Sequence, residues 1–556
     1  MRTCLLLAVA VGTAFGARGS SEQEEAAAAG AFSALQSGKL DARAAETQVL
    51  ALVGSLERAG LPETATVALS VLAAQEGGAA EVASRELQRR AAQGGLALGL
   101  AMRLPPARLE ALLAVRVARA HLEQALVLAP TEEGSAFAGM TGGNGAALTP
   151  VAGAPVRAAL PEEPAEPRVS AVQRLARAEL ERARQIAAQV PDGDAAAAEA
   201  REVSALAALA AGDTRAAEEQ FEAVVRVAPR GAAAAERREN ALLQLARLAY
   251  SRGDDARAQT MYARVSRAAP QWLDALFESS WSHFRRGEDE KALGNLLTLH
   301  APFFQGRYFP ESHVLKALVL YENCRYADAR RALQEFEARY RPVHDGLAQA
   351  VQMLPSAQVA VEALVSGAQA LLARLPEPAW AEVARLLSTP ELMLSTRQVA
   401  AMAAELDSMD RRGAAFRGSA LGSVVVPQVR NARLDLVQRT GDRARGALSS
   451  ERGELRELLG QSLRLGFEIA GREKELAEAP APSSAASQRR PPAQVEDDEE
   501  MWPFQGEYWR DELGSYRFHL GDRCVRPATP VPVQEARVPA KAPAAAAAAE
   551  PAPAAR

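Results

Sequence analysis

Large side chains are scarce in this chain. Aromatic residues make up 5% of its 556 residues, so the 48% hydrophobic fraction rests mainly on alanine. Alanine buries little area but is the best helix former. With few β-branched runs beside it, the composition reads as helices packed closely through small side chains. Potential metal ligands are equally sparse: three cysteines and six histidines form no Cys-x-x-Cys or His-Glu-x-x-His unit, which removes the usual zinc spacings. Neither sign of charge dominates. A net charge of −5 over this length implies neither a nucleic-acid partner nor a strongly charged membrane surface. No apolar run reaches membrane-spanning length.

Catalytic signatures are missing as well. The Gly142-Gly143-Asn144-Gly145 stretch has no strand before it and no Lys-Ser/Thr after it, as a phosphate loop requires. The acidic run Glu496–Glu500 lacks the turn glycine and spaced ligands of a calcium loop. No Gly-x-Ser-x-Gly elbow occurs. No catalytic, cofactor-binding or metal-binding residue is therefore assigned, and a non-enzymatic role is expected.

Residues 1–19 read as a signal peptide. Arg2 supplies the charged start, Cys4 to Val11 a short apolar core, and Ala14-Phe15-Gly16 the small residues a signal peptidase reads. Cys4 lies at the start of the apolar core and not after it, which argues against lipidation. The alternative is a buried first helix, but acidic Glu22, Glu24 and Glu25 follow the apolar-to-small transition. Export to a Gram-negative-type periplasm, as a soluble mature protein, is the expectation. Cleavage would leave Cys324 and Cys524; an oxidising compartment permits a bridge between them, and two separate thiols fit the sequence equally well.

The length exceeds what one hydrophobic core usually serves, and the composition changes along it. Residues 26–130 are helical, with breaks at Gly60-Leu61-Pro62, Gly77-Gly78, Gly94-Gly95 and Pro105-Pro106. Residues 131–168 form a Gly/Pro/Ala linker. A patterned helical region covers 169–342, and a C-terminal helical region covers 343–479, with breaks near Pro355 and Pro390 and a last long helix over 429–479. That helix reads as a cap packed along the rest, since its leucines keep no sustained heptad. A linker at 480–500, an aromatic docking segment at 501–524 and a disordered Pro/Ala tail at 525–556 complete the chain.

Within 169–342 three turns align: Ala-Gly-Asp at 211–213, Arg-Gly-Asp at 252–254 and Arg-Gly-Glu at 286–288. Seven residues before each glycine stand Ala205, Ala246 and Ser280; five after it stand Ala217, Ala258 and Ala292; nine after it stand Phe221, Tyr262 and Leu296. Pro229 and Pro270 end the first two units. A glycine suits a left-handed helix cap, and the acidic residue after it suits the start of the next helix. Small residues let paired helices approach, and the bulky one fills the groove beside the next pair. A fourth unit has Ala317 and Ala329 at the small sites, Leu333 at the bulky one, Asn323-Cys324 at the turn and Pro342 at the end. A half-unit before them ends at Pro191. Gly253 and Gly287 are 34 residues apart, while Gly212 and Gly253 are 41 apart, which places a seven-residue extension at about Gly231 to Arg237.

This pattern resembles the tetratricopeptide repeat family. The first-helix tryptophan of that family is replaced by Arg201, Leu242 and Leu276. The resemblance implies an all-α fold, an α-solenoid of antiparallel helix pairs, with a concave face that binds segments of other proteins. Aromatic residues point to where: 14 of 27 lie between Tyr250 and Tyr340, and six more between Trp502 and Phe518. Residues 302–310 hold Phe303, Phe304, Tyr308 and Phe309 between two prolines, as an inter-repeat plug or as part of a groove. Partner-binding candidates are Tyr250, Trp281, Phe284, Tyr308, Tyr321 and Tyr326 on the repeats, and Trp502, Phe504, Tyr508 and Trp509 in the C-terminal segment. Too short to form its own core, that segment must dock on this chain or on a partner.

YFPESHVLKALVLYENCRYADARRAL together with MWPFQGEYWRDELG resembles envelope-associated tetratricopeptide proteins of myxobacteria, some linked to gliding motility. The resemblance implies a periplasmic scaffold in an envelope assembly, with other envelope proteins or peptide segments as partners. An accessory or enzyme acting on the cell wall, and a structural spacer without a specific partner, are the rival readings.

Overall fold

The computed structural model describes residues 18–91, 94–128, 171–226, 231–412, 414–478, 495 and 499–520. The expected linker at 131–168, the tail at 525–556, Pro229 and Cys524 lie outside the described residues, as does almost all of the expected signal peptide. The protein is all-helical, with no strand among the described residues. The N-terminal helices are α1 (Arg18–Gln36), α2 (Ala42–Arg58), α3 (Pro62–Ala73), α4 (Gly78–Ala91), α5 (Gly95–Ala101) and α6 (Ala111–Leu128). The four expected breaks in this region all fall between helices.

The patterned region begins with α7 (Ala171–Ala187), α8 (Ala197–Ala210), α9 (Thr214–Arg226), α10 (Ala232–Ser251) and α11 (Asp255–Ala263). It continues through α12 (Trp272–Arg285), α13 (Asp289–Leu299), α14 (Pro310–Glu322) and α15 (Tyr326–Met353). Each helix packs on the next. Four turns share one backbone device. Gly212, Gly253 and Gly287 have φ of +83°, +80° and +72°, and Cys324 takes the same place with φ +58°. The next residue's N–H then reaches back five residues: Asp213 to Ala208 O (2.9 Å), Asp254 to Ala249 O (3.0 Å), Glu288 to His283 O (2.9 Å) and Arg325 to Leu320 O (2.8 Å). This bond satisfies a carbonyl the helix end leaves free. The Asp213 and Asp254 carboxylates accept from the N–H groups of Ala216 and Arg257, opening the following helices.

The small residues of the pattern do what their size allows. Ala205, Ala217, Ala246, Ala258, Ser280, Ala292, Ala317 and Ala329 are all 0% exposed, so a larger side chain at any of them would push a helix pair apart. Phe221, Tyr262, Leu296 and Leu333 are buried beside them. The extension before the second turn lengthens a helix: α10 has 20 residues, α8 and α12 have 14.

Two boundaries differ from expectation. Pro342 does not end the fourth unit but lies inside α15, which runs on to Met353. Proline removes one N–H and crowds the carbonyl four residues back. Here Tyr340, Val343, Leu347 and Ala350 are all buried in one core, and that burial holds the helix through the break.

The C-terminal helices are α16 (Ala357–Val365), α17 (Gln369–Leu372), α18 (Glu377–Leu387), α19 (Pro390–Asp410), α20 (Ala414–Gly418) and α21 (Ala420–Glu478). The last helix therefore begins nine residues before the expected Val429 and passes through Pro427. It packs against α1, α3, α14, α15, α16, α18, α19 and α20. Its buried stripe includes Leu448, Leu455, Leu458, Leu459 and Leu465, whereas Leu434 and Leu463 face solvent. One hydrophobic core joins Phe32, Leu52 and Leu69 of the first helices to Met402, Val425 and Leu436 of the last.

Candidate functional site

The C-terminal aromatic segment folds back on this chain. Within it the Tyr516 hydroxyl accepts from the Trp509 N–H (2.8 Å) and donates to the Trp509 carbonyl (2.9 Å), closing a small loop. Trp502 stacks on Trp509 at 4.7 Å. The Gly514 N–H donates to Thr298 Oγ1 (2.9 Å), and the Phe518 N–H donates to the Glu290 carbonyl (2.9 Å). The Arg325 guanidinium donates to the Leu520 carbonyl (3.3 Å). Leu513, Tyr516 and Leu520 are buried, the first two in a cluster with Ala301, Trp272, Leu297 and Phe304. A side chain at Gly294 would meet the Tyr516 carbonyl oxygen at 1.7 Å, so α13 carries the segment at backbone distance. Phe504 and Trp509 keep about two-fifths of their surface exposed.

The ten aromatic candidates lie in five places. Tyr250 lies under the Arg285 guanidinium, 4.1 Å from its ring centre. Trp281, buried in the core of α12–α15, meets Phe284 edge-on at 6.2 Å. Tyr321 and Tyr326 meet at 5.6 Å across the Cys324 turn, where the Tyr326 hydroxyl donates to Cys324 Sγ (3.3 Å). Cys324 is disulfide-bonded. Trp502, Phe504, Tyr508 and Trp509 belong to the folded-back segment. Tyr308 alone of the ten lines a cleft.

That cleft, of about 500 Å³, opens between the start of α12, residues 305–309, the middle of α15 and helix α18. Tyr308 and Tyr340 meet edge-on at 5.6 Å; Arg385 lies 5.6 Å over Tyr308 and Arg339 5.4 Å over Tyr340. Arg385 is paired with Glu382 and, at 3.4 Å, with Glu451. Arg307 and Arg339, on the rim, form no ion pair among the described residues. Burial pushes the Glu451 carboxyl up to about 7, with Glu382 and Glu454 adding and a hydrogen bond from Tyr308 opposing. Burial, and then the facing Glu451, raise the Tyr308 phenol too. Asp274 is raised to about 6 by burial and by Glu278.

Sequence reasoning missed Asp274, Arg307, Arg339, Glu382, Arg385 and Glu451. Glu382 and Arg385 share α18, and the others come from three further helices and a loop, so nothing in the spacing along the chain marks the set. No group of three or more His, Cys, Asp or Glu among the described residues is placed to hold a metal ion. No described helix is long and apolar enough to cross a membrane.

Among the described residues, fold and site together define an all-helical protein with an open arginine- and tyrosine-lined cleft and a C-terminal segment strapped across its own middle helices. The chain matches no protein-family model and no curated protein.

Proposed function

We propose that this protein is an exported, non-enzymatic adaptor: a tetratricopeptide-type α-solenoid of the periplasm that holds a segment of another envelope protein. The observation that carries the reading is the cleft between α12, α15 and α18, where Tyr308 and the exposed Arg307 and Arg339, which form no ion pair among the described residues, line one opening. Aromatic and arginine side chains of this kind dominate the energetics of protein interfaces. The four alike turns and the fully buried small residues support the repeat arrangement. The likeness of two stretches to envelope proteins of myxobacteria directs the reading to a trans-envelope assembly, of the motility type.

Charge reversal at both rim cations, Arg307→Glu with Arg339→Glu, tests it. Both side chains are exposed and only the Arg339 bond to the Gln305 carbonyl is lost, so the variant should fold and melt close to wild type. Cross-linking in intact cells followed by affinity capture should lose its specific partners. An unchanged partner set from a normally folded variant would sink the reading and leave a structural spacer.

A second reading has its own observation. Asp274 and Glu382 both line the cleft, and carboxyls in a cleft are what a wall-cleaving enzyme would use. Glu382 is bound by Arg385, which favours the adaptor. Release of soluble fragments from purified wall material by the wild type, lost in Asp274→Asn, would reverse that preference.

A further inference from the structure

Three of the four like turns place glycine in the left-handed position, and the fourth places Cys324 there with φ +58°. A β-carbon is disfavoured in that conformation, so the fold keeps a strained cysteine where glycine serves elsewhere. Its sulfur is engaged, because Cys324 is disulfide-bonded. The chain has two other cysteines, Cys4 and Cys524, and the first lies in the segment expected to be removed on export. The folded-back segment runs straight toward the turn. The Leu520 N–H donates to Glu290 Oε1 (3.2 Å), and the Leu520 carbonyl accepts from Arg325, the neighbour of Cys324. Cys524 lies four positions beyond Leu520, a reach of about 13 Å when extended.

We propose that a Cys324–Cys524 disulfide latches the C-terminal segment across α13, and that its reduction frees the segment and bares the surface around Trp272, Gly294 and Phe304. In closure each thiol loses one proton and one electron, and the two sulfurs join. A partner protein's disulfide accepts both electrons and both protons and becomes a dithiol. Opening is the reverse exchange with a protein dithiol. The bridge closes a loop of about 200 residues, long enough for the cross-link to restrict the unfolded chain strongly. The Tyr326 hydroxyl at Cys324 Sγ stabilises a departing thiolate, which suits a bond meant to exchange. This inference needs an oxidising compartment but not the adaptor reading: the latch can be present in a protein that holds no partner in its cleft.

The test uses the full exported chain, alkylated before lysis and digested with trypsin without reductant. The peptide ending at Arg325 should appear joined to the peptide beginning at Cys524, and reduction should separate them. Cys324 joined to a small thiol or to a second copy of the chain overturns the proposal. Limited proteolysis then reads the latch. Cleavage within 499–520 should speed up at least tenfold on reduction, and equally in Cys524→Ser without reductant. Gly294→Ala, whose new methyl occupies the place of the Tyr516 carbonyl, should be cut fast in both redox states. A rate in the wild type that ignores reduction overturns the latch even if the bridge is found. Cys524→Ser keeps this readable, since it changes no residue of the helical body.

Discussion

Single side chains in this protein carry consequences their neighbours in sequence do not announce. Glu451 is half-way along a helix of many charges, yet burial raises its carboxyl to about 7 from an ordinary 4.5. The folded state thus holds this proton more tightly than the unfolded chain does. Stability from this group is fully present below about pH 4.5 and is lost as pH rises through about 7. Glu451→Gln removes the titration and keeps a partner for Tyr308. In melting curves taken from pH 4.5 to 8, the variant should gain on the wild type steadily up to about pH 7, by on the order of 3 kcal/mol at most, and then run parallel. A constant difference across that range would mean that Glu451 is not buried as described. The same scale shows why the cleft could not be read in advance. Tyr308 stood out among clustered aromatics, but its partners Glu382, Arg385 and Glu451 are ordinary charged residues of helices 74 to 143 positions away.

At the scale of elements, local rules and tertiary packing take turns in control. The turns at Gly212, Gly253 and Gly287 follow local chemistry and were legible, because a left-handed cap needs glycine and a helix start welcomes an acidic residue. The fourth turn was legible by its spacing alone, since cysteine is a poor signal for that backbone. Pro342 and Pro427 are local stop signals that packing overrides, so α15 and α21 both run longer than their sequences suggest. Helix α21 also approaches α16 at backbone distance where it has no side chain. At Gly441 a β-carbon would stand 2.2 Å from the Ala357 carbonyl oxygen and 2.4 Å from its Cα. Gly441→Val should therefore separate α21 from α16 and lower stability by about 1–3 kcal/mol in urea unfolding. Gly446→Ala, five residues on in open space, should instead raise it by about 0.5–1 kcal/mol through helix propensity alone. Equal losses at both sites would show that helix integrity, and not the α16 contact, decides the effect.

For the whole molecule the decisive feature is that its first described helices meet α19 and α21. Glu405 of α19 accepts the N–H groups of Glu63 and Thr64 and the Thr64 hydroxyl, at 2.6 to 2.8 Å, and so caps α3 from 341 residues away. Arg412, just beyond α19, pairs with Glu25 of α1 at 2.5 Å. Glu405→Ala would leave buried donors without an acceptor, at a cost of about 1–3 kcal/mol. Hydrogen exchange should then quicken at the start of α3 and in α19 together, with the helices from α8 to α13 unaffected. Quickening confined to α19 would show that α3 and α19 do not stabilise each other.

The sequence by itself determined the helical class, the turns and the buried small sites of the middle region, because each depends on residues within one turn or one helix pair. It also marked the aromatic C-terminal segment as one that must dock, since so short a piece cannot bury its own rings. Only the tertiary structure decided that the segment docks on α13, that α21 joins the first helices to the last in one core, and that arginines from three places gather beside Tyr308. Those outcomes depend on surfaces brought together across hundreds of residues, and periodicity along a chain carries no record of which distant surface a helix will meet.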